Sequence, residues 1–392
     1  MGPPGKNALS ADGKRMNEFL IRVNEQLQAQ KNRGLYRQTR VVPEGWKDFT
    51  SNDYLGLARS DELRNSIQDF LSNLSNSRNG SGGSRLLSGN TPLAEDVESF
   101  VARVAGTEHG LLFSSGYMAN LGVLSCLPQR GDTVLYDEQA HASLKDGIRL
   151  CLANRYSFRH NDMDDLRRKL TRANGTVFIV VESVYSMDGD LCPLADLVGL
   201  AQQYSAVLIL DEAHATGIYG EDGGGLASSL GFEKEIPIRI LTFGKAMGSH
   251  GACVCCSAAV RSYLVNFSRP FIYTTAMPDH SLAAIRCSFE FVRKHPELRN
   301  TLAQKISLFR QHYAHDTGST TAIQPVIIGG NDKTRAAASA LQSLGYDVRP
   351  VLSPTVKPGT ERLRICLHVY NSNEEIVALA GELNKLAVGN EQ

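Results

Sequence analysis

Reactive side chains follow four short apolar runs of the sequence, each near the point where the run ends. Apolar runs that are continuous rather than alternating are typical of strands buried on both faces of a parallel sheet. In an open α/β sheet, ligands bind beyond the carboxyl ends of the strands, so we expect these side chains to meet at one edge. They are Lys245 after the run at 238–242, Asp211 and His214 after 206–210, Glu182 and Ser186 after 177–181, and His141 after 133–136.

Two of these side chains, Lys245 and Asp211, indicate chemistry on a bound aldehyde. Desolvation at the end of a buried strand lowers the pKa of a lysine and makes it a nucleophile toward an aldehyde. An aspartate on a neighbouring strand end can keep the pyridine nitrogen of pyridoxal phosphate protonated, and the ring then accepts electrons from a carbanion. In such a site His141 is placed to stack on the ring, and His214 and Ser186 could reach its phenolic oxygen.

A phosphate group needs backbone N–H donors at the start of a helix. The segment 113–120 has the pattern of a strand-to-helix turn, with Ser115, Gly116 and Tyr117 at its mouth. Thr242 could add a hydroxyl group. A plain turn without a ligand is the alternative.

Two nucleotide-binding functions share parts of this pattern and fail on spacing. The stretch 208–214 matches the strand-plus-acid motif of nucleotide-driven helicases, but Gly244-Lys245 is followed by Ala246, so no P-loop is present. The glycine-rich stretch 79–90 follows a polar segment and lacks the spacing of a dinucleotide-binding turn. A non-enzymatic binding module is disfavoured because so many ionisable groups stand at strand ends.

Composition limits the partners of the chain. Its 392 residues include 41 basic and 41 acidic side chains, and this balance argues against binding nucleic acid or membranes by bulk electrostatics. No apolar run reaches the length of a membrane span, and the N-terminus has no signal core, so we predict a cytoplasmic protein with small-molecule substrates. The eight cysteines are too sparse for a disulfide framework. Cys253, Cys255 and Cys256 lack zinc-site spacing, so we predict a buried strand there and no metal.

The order of patterns predicts an α/β fold in three segments. Residues 1–50 form an N-terminal arm with a helix over 17–30, and residues 51–277 form a large domain with a mainly parallel sheet flanked by helices. In this domain the glycine-rich loop at 79–90 leads into a helix that begins at Thr91-Pro92. Residues 278–392 form a smaller α+β domain with a long helical segment over 281–314, strands near 323–328, 347–351 and 362–367, and a closing helix from Glu374.

Over nearly its whole length the chain resembles the α-oxoamine synthases, pyridoxal-phosphate enzymes of fold type I. The resemblance is carried by seven motifs in the order of the family. These motifs lie at 49–57, 80–89, 141–144, 182–190, 211–214, 242–246 and 361–365.

Within this family the stretches 84–89 and 269–278 are most similar to the biotin-pathway branch. The resemblance therefore implies a decarboxylative condensation of L-alanine with a pimeloyl thioester, carried on coenzyme A or acyl carrier protein, to 8-amino-7-oxononanoate, carbon dioxide and free thiol. Sister activities are the alternatives: glycine with acetyl-coenzyme A, serine with a long acyl thioester, or an autoinducer-type condensation.

The resemblance also implies roles for individual residues. Lys245 would hold the cofactor covalently and act as general base, with His141, Asp211 and Glu182 as the other catalytic residues. Arg364 would clamp the amino-acid carboxylate, and Asn52 would lie beside the reacting centre. The family forms homodimers, which implies that Thr274 and Thr275 serve the phosphate of the second subunit. The cofactor-binding set is Ser115, Gly116, Tyr117, His141, Ser186, Asp211, His214, Thr242, Lys245, Thr274 and Thr275.

The chain departs from the family at two positions. Glycines occupy 223–225, where the family often has an arginine between glycines, and Leu86 stands where it commonly has histidine or an aromatic residue. The role of the glycine loop and the acyl-chain specificity are therefore left open by the sequence.

Overall fold

The computed structural model describes residues 11–388, which fall into two compact units, one ending at Trp46 and the other beginning at Lys47. The first unit contains helix α1 (Ala11–Asn32), which confirms the helix predicted over 17–30. The apolar side chains of its predicted face, among them Phe19, Leu20 and Leu27, are exposed. The first ten residues of the predicted arm lie outside the described residues, and the domain boundaries at 50/51 and 277/278 remain predictions.

The second unit alternates strands and helices. Its strands are β1 (Lys47–Asp48), β2 (His109–Phe113), β3 (Thr133–Asp137), β4 (Asn154–Phe158), β5 (Val177–Glu182), β6 (Val207–Asp211), β7 (Ile238–Thr242), β8 (Ala252–Cys256), β9 (Ile323–Ile327), β10 (Tyr346–Asp347), β11 (Pro350–Val351) and β12 (Arg362–Cys366). Its α-helices are α2 (Asp61–Ser72), α3 (Pro92–Ala105), α4 (Gly116–Leu124), α5 (Ala142–Leu150), α6 (Met163–Leu170), α7 (Leu194–Gln203), α8 (Leu226–Leu230), α9 (Ala258–Phe267), α10 (Arg269–Ile272), α11 (Asp279–Lys294), α12 (Glu297–His312), α13 (Asn331–Ser343) and α14 (Asn373–Val388).

The central sheet of the described residues has seven strands in the order β2-β8-β7-β6-β5-β3-β4. Only β8 among them runs antiparallel to its neighbours β2 and β7, so the predicted, mainly parallel α/β sheet is confirmed. The predicted apolar runs all form strands in it. Sequence reasoning missed β4, because this edge strand has polar residues and three of its five positions are exposed.

Both faces of the sheet are buried, which explains the continuous apolar runs. In β6, Leu208 and Leu210 pack in one core cluster while Ile209, between them, packs in the other. In β8, Cys253 and Cys255 face the first cluster and Cys256 the second, so the cysteine-rich stretch is a buried strand, as predicted. All eight cysteines are free thiols within the described residues.

The C-terminal part has its own antiparallel sheet, β11-β12-β9, and its own core cluster with helix α14. The single helical segment predicted over 281–314 is wrong in one respect, since it is two helices, α11 and α12, separated at His295 and Pro296. Proline lacks the N–H group that a helix interior requires, and it disfavours helical backbone in the residue before it. Helix α13 was not predicted. None of the helices within 11–388 combines the length and the apolar character that a bilayer crossing needs.

The glycine loop at 223–225 surrounds a buried ion pair. The guanidinium of Arg239 lies 3.1 Å from the Glu212 carboxylate, and both side chains are fully buried. Arg239 also donates to the carbonyl oxygen of Gly224. The Glu212 carboxylate accepts the N–H groups of Leu226 and Ala227 at the start of α8, at 2.8 and 3.1 Å. These contacts give the loop a structural role: it is bonded to the ion pair of Glu212, the residue that follows Asp211.

Gly225→Ala is expected to destabilise the fold by about 3 kcal/mol, because a Cβ atom there would lie 2.6 Å from the Glu212 carboxyl carbon and the backbone φ is +99°. Gly231, at the other end of α8, is the matched control: its φ is +72°, and no atom of the described residues would lie within 4 Å of an added Cβ. Gly231→Ala should therefore cost only about 1 kcal/mol. If denaturant unfolding showed equal losses of the free energy of unfolding in the two variants, the packing argument would be contradicted.

Candidate active site

The carboxyl ends of the central strands bring the predicted side chains to one edge of the sheet. Glu182 ends β5 and Asp211 ends β6, and the two residues are directly paired in the parallel ladder. Thr242 ends β7 on the other side of Asp211, and Lys245 follows three residues later. The arrangement places a lysine, two carboxylates and a hydroxyl group at or just beyond the ends of three adjacent strands.

Asp211 is buried and accepts hydrogen bonds on both carboxylate oxygens. Its Oδ1 accepts the N–H of Ala213 at 2.9 Å, and its Oδ2 accepts from Nδ2 of Asn120 at 2.7 Å. Asn120, on α4, lies within the predicted phosphate segment, but sequence reasoning gave it no role. The two donors hold the carboxylate in one orientation, which is what a partner for a ring nitrogen requires.

The half-buried Lys245 lies in the field of both carboxylates. Burial lowers the pKa of its ammonium group below the ordinary lysine value, although the charges of Asp211 and Glu182 oppose this shift. The nearby Arg364 guanidinium adds to the lowering. A lysine with a lowered pKa supplies the neutral amine, which is the nucleophilic form.

Glu182 is buried, and its carboxyl group stands beside that of Asp211. Burial raises the pKa of Glu182 to about 8, and the Asp211 charge adds to the increase. Its Oε1 accepts the backbone N–H of His141 at 2.5 Å. Glu182 therefore joins the end of β5 to the loop that carries His141.

His141 is the N-cap residue of α5, and it is exposed. The ring Nδ1 lies 2.7 Å from Oγ of Ser143 and accepts the Ser143 backbone N–H at 3.2 Å. Both contacts fix the orientation of the ring. A residue that stacks on a cofactor needs such a fixed orientation.

A second group of polar residues joins His214 to Arg364. The buried Tyr54 hydroxyl lies 2.8 Å from Nδ1 of His214 and 3.0 Å from Oδ1 of Asn52. The same Asn52 oxygen accepts from Arg364 at 2.9 Å. Burial, together with the charges of Lys245 and Arg364, holds the pKa of His214 well below its ordinary value. Sequence reasoning gave no role to Tyr54, although it lies in the motif at 49–57.

Arg364, on β12, is held by several neighbours. Its Nε donates to the Ser186 carbonyl oxygen at 2.5 Å and one terminal nitrogen lies 2.9 Å from Sγ of Cys366. The other terminal nitrogen reaches Asn52 and, at 3.4 Å, the Tyr54 hydroxyl. A guanidinium has five N–H donors, so these four contacts leave at least one for a carboxylate.

The start of α4 fits an anion. Ser115 is the N-cap residue, and its hydroxyl accepts the Met118 N–H at 3.2 Å. A Cβ atom on Gly116 would lie 2.7 Å from the Thr242 methyl group, so glycine is required for the helix start to approach the end of β7. Tyr117 is exposed, and its hydroxyl donates to Asp146 at 2.5 Å. The predicted strand-to-helix turn is confirmed, and a helix start of this kind suits a phosphate group.

The remaining predicted residues lie on loops. Ser186 belongs to the loop after β5, and Thr275 forms an isolated β-bridge with Ser84 of the glycine-rich loop. Thr274 is half-buried beside Thr275. Their contacts with the cofactor and with a second subunit stay predictions.

His160 joins two of the loops that carry site residues. Its ring nitrogens lie 2.9 Å from Asp137, at the end of β3, and 2.8 Å from Asp190, in the loop after β5. Burial opposes a charge on this ring, but the hydrogen bonds with the two carboxylates raise the pKa of His160 to about 10. Through these two contacts, His160 links the loop that follows β3, which leads to His141, with the loop that carries Ser186.

Comparison with known proteins identifies the family. Residues 44–380 match the family described as aminotransferase class I and II. The chain is 39% identical to an 8-amino-7-oxononanoate synthase of Emericella nidulans, covering 91% of this chain and 93% of the relative. It is 35% identical to the synthase of that name from Lysinibacillus sphaericus, covering 93% and 97%.

Solved structures of similar fold include a serine palmitoyltransferase from S. paucimobilis with bound PLP, at a TM-score of 0.84 and 26% identity over 94% of this chain and 97% of that one. Another is the 8-amino-7-oxononanoate synthase of Francisella tularensis, at a TM-score of 0.76 and 28% identity over 89% and 99%. The fold type I architecture implied by the resemblance and the pyridoxal phosphate cofactor predicted from the strand ends are thus confirmed. The chain belongs to the aminotransferase class I and II family and, within it, to the α-oxoamine synthases.

Proposed function

We propose that this chain condenses L-alanine with a pimeloyl thioester, with loss of carbon dioxide and free thiol, to form 8-amino-7-oxononanoate for biotin synthesis. The observation that carries the proposal is the convergence of Lys245, Asp211 and Arg364 in a chain that is 39% identical to a synthase named for this product. The three groups supply a nucleophile, a partner for a ring nitrogen and a carboxylate clamp.

Pyridoxal phosphate, when bound, supplies a ring that withdraws electrons from the α-carbon of the amino acid. The chain supplies the groups that hold it. The start of α4 at Ser115 and Gly116, with the Thr242 hydroxyl, would bind the phosphate, and Asp211 would pair with the ring nitrogen. His141 would stack on the ring, while His214 and Ser186 would contact the phenolic oxygen.

One basic side chain would bind the amino acid and another, in its neutral form, would deprotonate it. Arg364 would hold its carboxylate, with Asn52 keeping the guanidinium in place at 2.9 Å. Lys245, whose lowered pKa makes the amine available, would take the proton from the α-carbon. Glu182, buried beside Asp211, would keep the His141 loop in position through its bond to the His141 N–H.

The direct test is product formation with purified holoenzyme. L-alanine with pimeloyl-coenzyme A, or with the pimeloyl carrier protein, should give 8-amino-7-oxononanoate by mass spectrometry. Glycine with acetyl-coenzyme A and L-serine with palmitoyl-coenzyme A are the competing pairs. Faster turnover with either competing pair would replace the proposed substrate while leaving the family assignment unchanged.

Arg364→Lys should raise the KM for L-alanine about 30-fold, because a lysine lacks the planar set of donors and loses about 2 kcal/mol of charged hydrogen bonding. The KM for the thioester should stay within about 3-fold. Arg362→Lys is the matched control, since Arg362 lies on the same strand and pairs with Asp188. An unchanged alanine KM in Arg364→Lys, measured by steady-state kinetics, would remove Arg364 from the site.

The proposal includes a homodimer, with Thr274 and Thr275 serving the second subunit, and a cytoplasmic location. The eight free cysteines support a reducing compartment. Sedimentation of the holoenzyme measures the oligomeric state, and activity in mixtures of Thr275→Ala and Lys245→Ala chains measures whether sites are shared.

A further inference from the structure

A continuous chain of hydrogen bonds runs from Asp211 to His141 through two buried side chains. Nδ2 of Asn120 lies 2.7 Å from Oδ2 of Asp211 and 2.9 Å from Oγ of Ser143. The Ser143 hydroxyl lies 2.7 Å from Nδ1 of His141. Asn120 and Ser143, the two middle members of the chain, are 2% and 1% exposed and are therefore shielded from bulk water.

Chemistry fixes the direction of each bond in this chain. The Asp211 carboxylate, which also accepts the Ala213 N–H, can only accept, so the Asn120 amide presents its NH₂ group. That group also donates to Ser143, which leaves the serine hydroxyl proton for His141. A backbone N–H can only donate, so the Ser143 N–H bond assigns Nδ1 of His141 as an acceptor. The imidazole is then neutral, with its proton on Nε2.

The side chain of Asn120 includes a group that lowers the stability of the fold. Its Oδ1 is buried and has no hydrogen-bond partner within residues 11–388. An unsatisfied buried oxygen is unfavourable, and an apolar side chain on α4 would avoid it. The amide is therefore explained by its two donor bonds rather than by helix packing.

We propose that Asn120 is a positioning residue that orients the Asp211 carboxylate and, through Ser143, keeps His141 as the Nε2-protonated neutral ring. One amide on α4 thereby links the group that would pair with the ring nitrogen to the group that would stack on the ring. The inference rests on the proposed function, since it assumes that Asp211 and His141 face the cofactor.

The test compares Asn120→Ala with Asn120→Asp in the holoenzyme. Removing a hydrogen bond to a carboxylate should weaken pyridoxal-phosphate binding about 10- to 100-fold in Asn120→Ala, measured by equilibrium dialysis, and lower kcat more than it changes KM. In Asn120→Asp the new carboxyl group can donate to Asp211 only when protonated. Its cofactor affinity and kcat should therefore recover as the pH falls, whereas those of Asn120→Ala should not.

Val123→Ala is the control for loss of packing, because Val123 is a fully buried apolar residue of the same helix. Val123→Ala should lower the free energy of unfolding without changing the affinity for pyridoxal phosphate. Ser143→Ala cuts the chain on the other side: cofactor affinity should be retained, while ¹⁵N NMR of the histidine ring should show the pKa of His141 raised.

The proposed role of Asn120 would be overturned if Asn120→Ala bound the cofactor with wild-type affinity. It would also be overturned if Asn120→Asp lost cofactor affinity and kcat to the same extent at every pH. If Asn120→Asp does not fold, Asn120→Ala and Ser143→Ala still decide the question by dialysis and NMR. Failure of the proposed reaction is distinguishable, because the wild-type enzyme would then bind pyridoxal phosphate and form no product.

Discussion

Lys245→Ala is expected to lower turnover on the order of 10⁴-fold or more and to remove the covalent attachment of pyridoxal phosphate to the chain. The expected loss is large because the proposed function gives Lys245 two tasks, as the nucleophile toward the cofactor and as the base for the α-proton. Its position three residues after β7, with a pKa lowered by burial, suits both tasks. Product formation measures the first loss, and borohydride reduction followed by peptide mapping measures the second.

Lys145→Ala is the matched control for this lysine. Lys145 lies on α5 near Glu182, and burial lowers its pKa as well, but its Nζ donates to the Glu138 carbonyl oxygen at 2.7 Å. The control should retain the reducible attachment at Lys245. If the cofactor label mapped to Lys145, or persisted in Lys245→Ala, the assignment of the nucleophile would be wrong.

Asp211→Asn should reduce kcat about 10³-fold while the protein still folds and binds the cofactor. An amide has the size of the carboxylate but carries no charge, so it cannot stabilise a protonated ring nitrogen. The side chain can still accept on its oxygen, and the neighbouring Asn120 and Ala213 contacts keep the position polar. Stopped-flow absorbance with L-alanine should show substrate binding without normal turnover.

Asp137→Asn gives a comparison with a second buried carboxylate at a strand end. Asp137 ends β3 and binds His160. Its substitution should therefore mainly lower the free energy of unfolding, and its loss of kcat should be smaller than that of Asp211→Asn. Near-normal turnover in Asp211→Asn, or equal kcat losses in both variants, would show that the Asp211 carboxylate does not stabilise a protonated ring nitrogen.

Most strands of the large sheet were predictable because each of them has a local apolar signature. The four apolar runs and the cysteine-rich stretch became strands, and the rule that ligands bind at the carboxyl ends of parallel strands placed Glu182, Asp211 and Lys245 at one edge. The polar strand β4 and the break between α11 and α12 were missed. In β4 the exposed edge position removes the apolar pattern, and at the break a single proline interrupts an otherwise helical stretch.

By itself, the sequence determined the fold class, the cofactor chemistry and the residue types that follow the strands. The tertiary structure alone decided which side chains support them, because these contacts join positions far apart in the chain. Asn120 and Asp211 are 91 residues apart, Tyr54 and His214 are 160 apart, and Asn52 and Arg364 are 312 apart. Hydrophobic periodicity reports how one segment is buried, whereas a hydrogen bond depends on the packing of two segments, so only the folded chain assigns such partners.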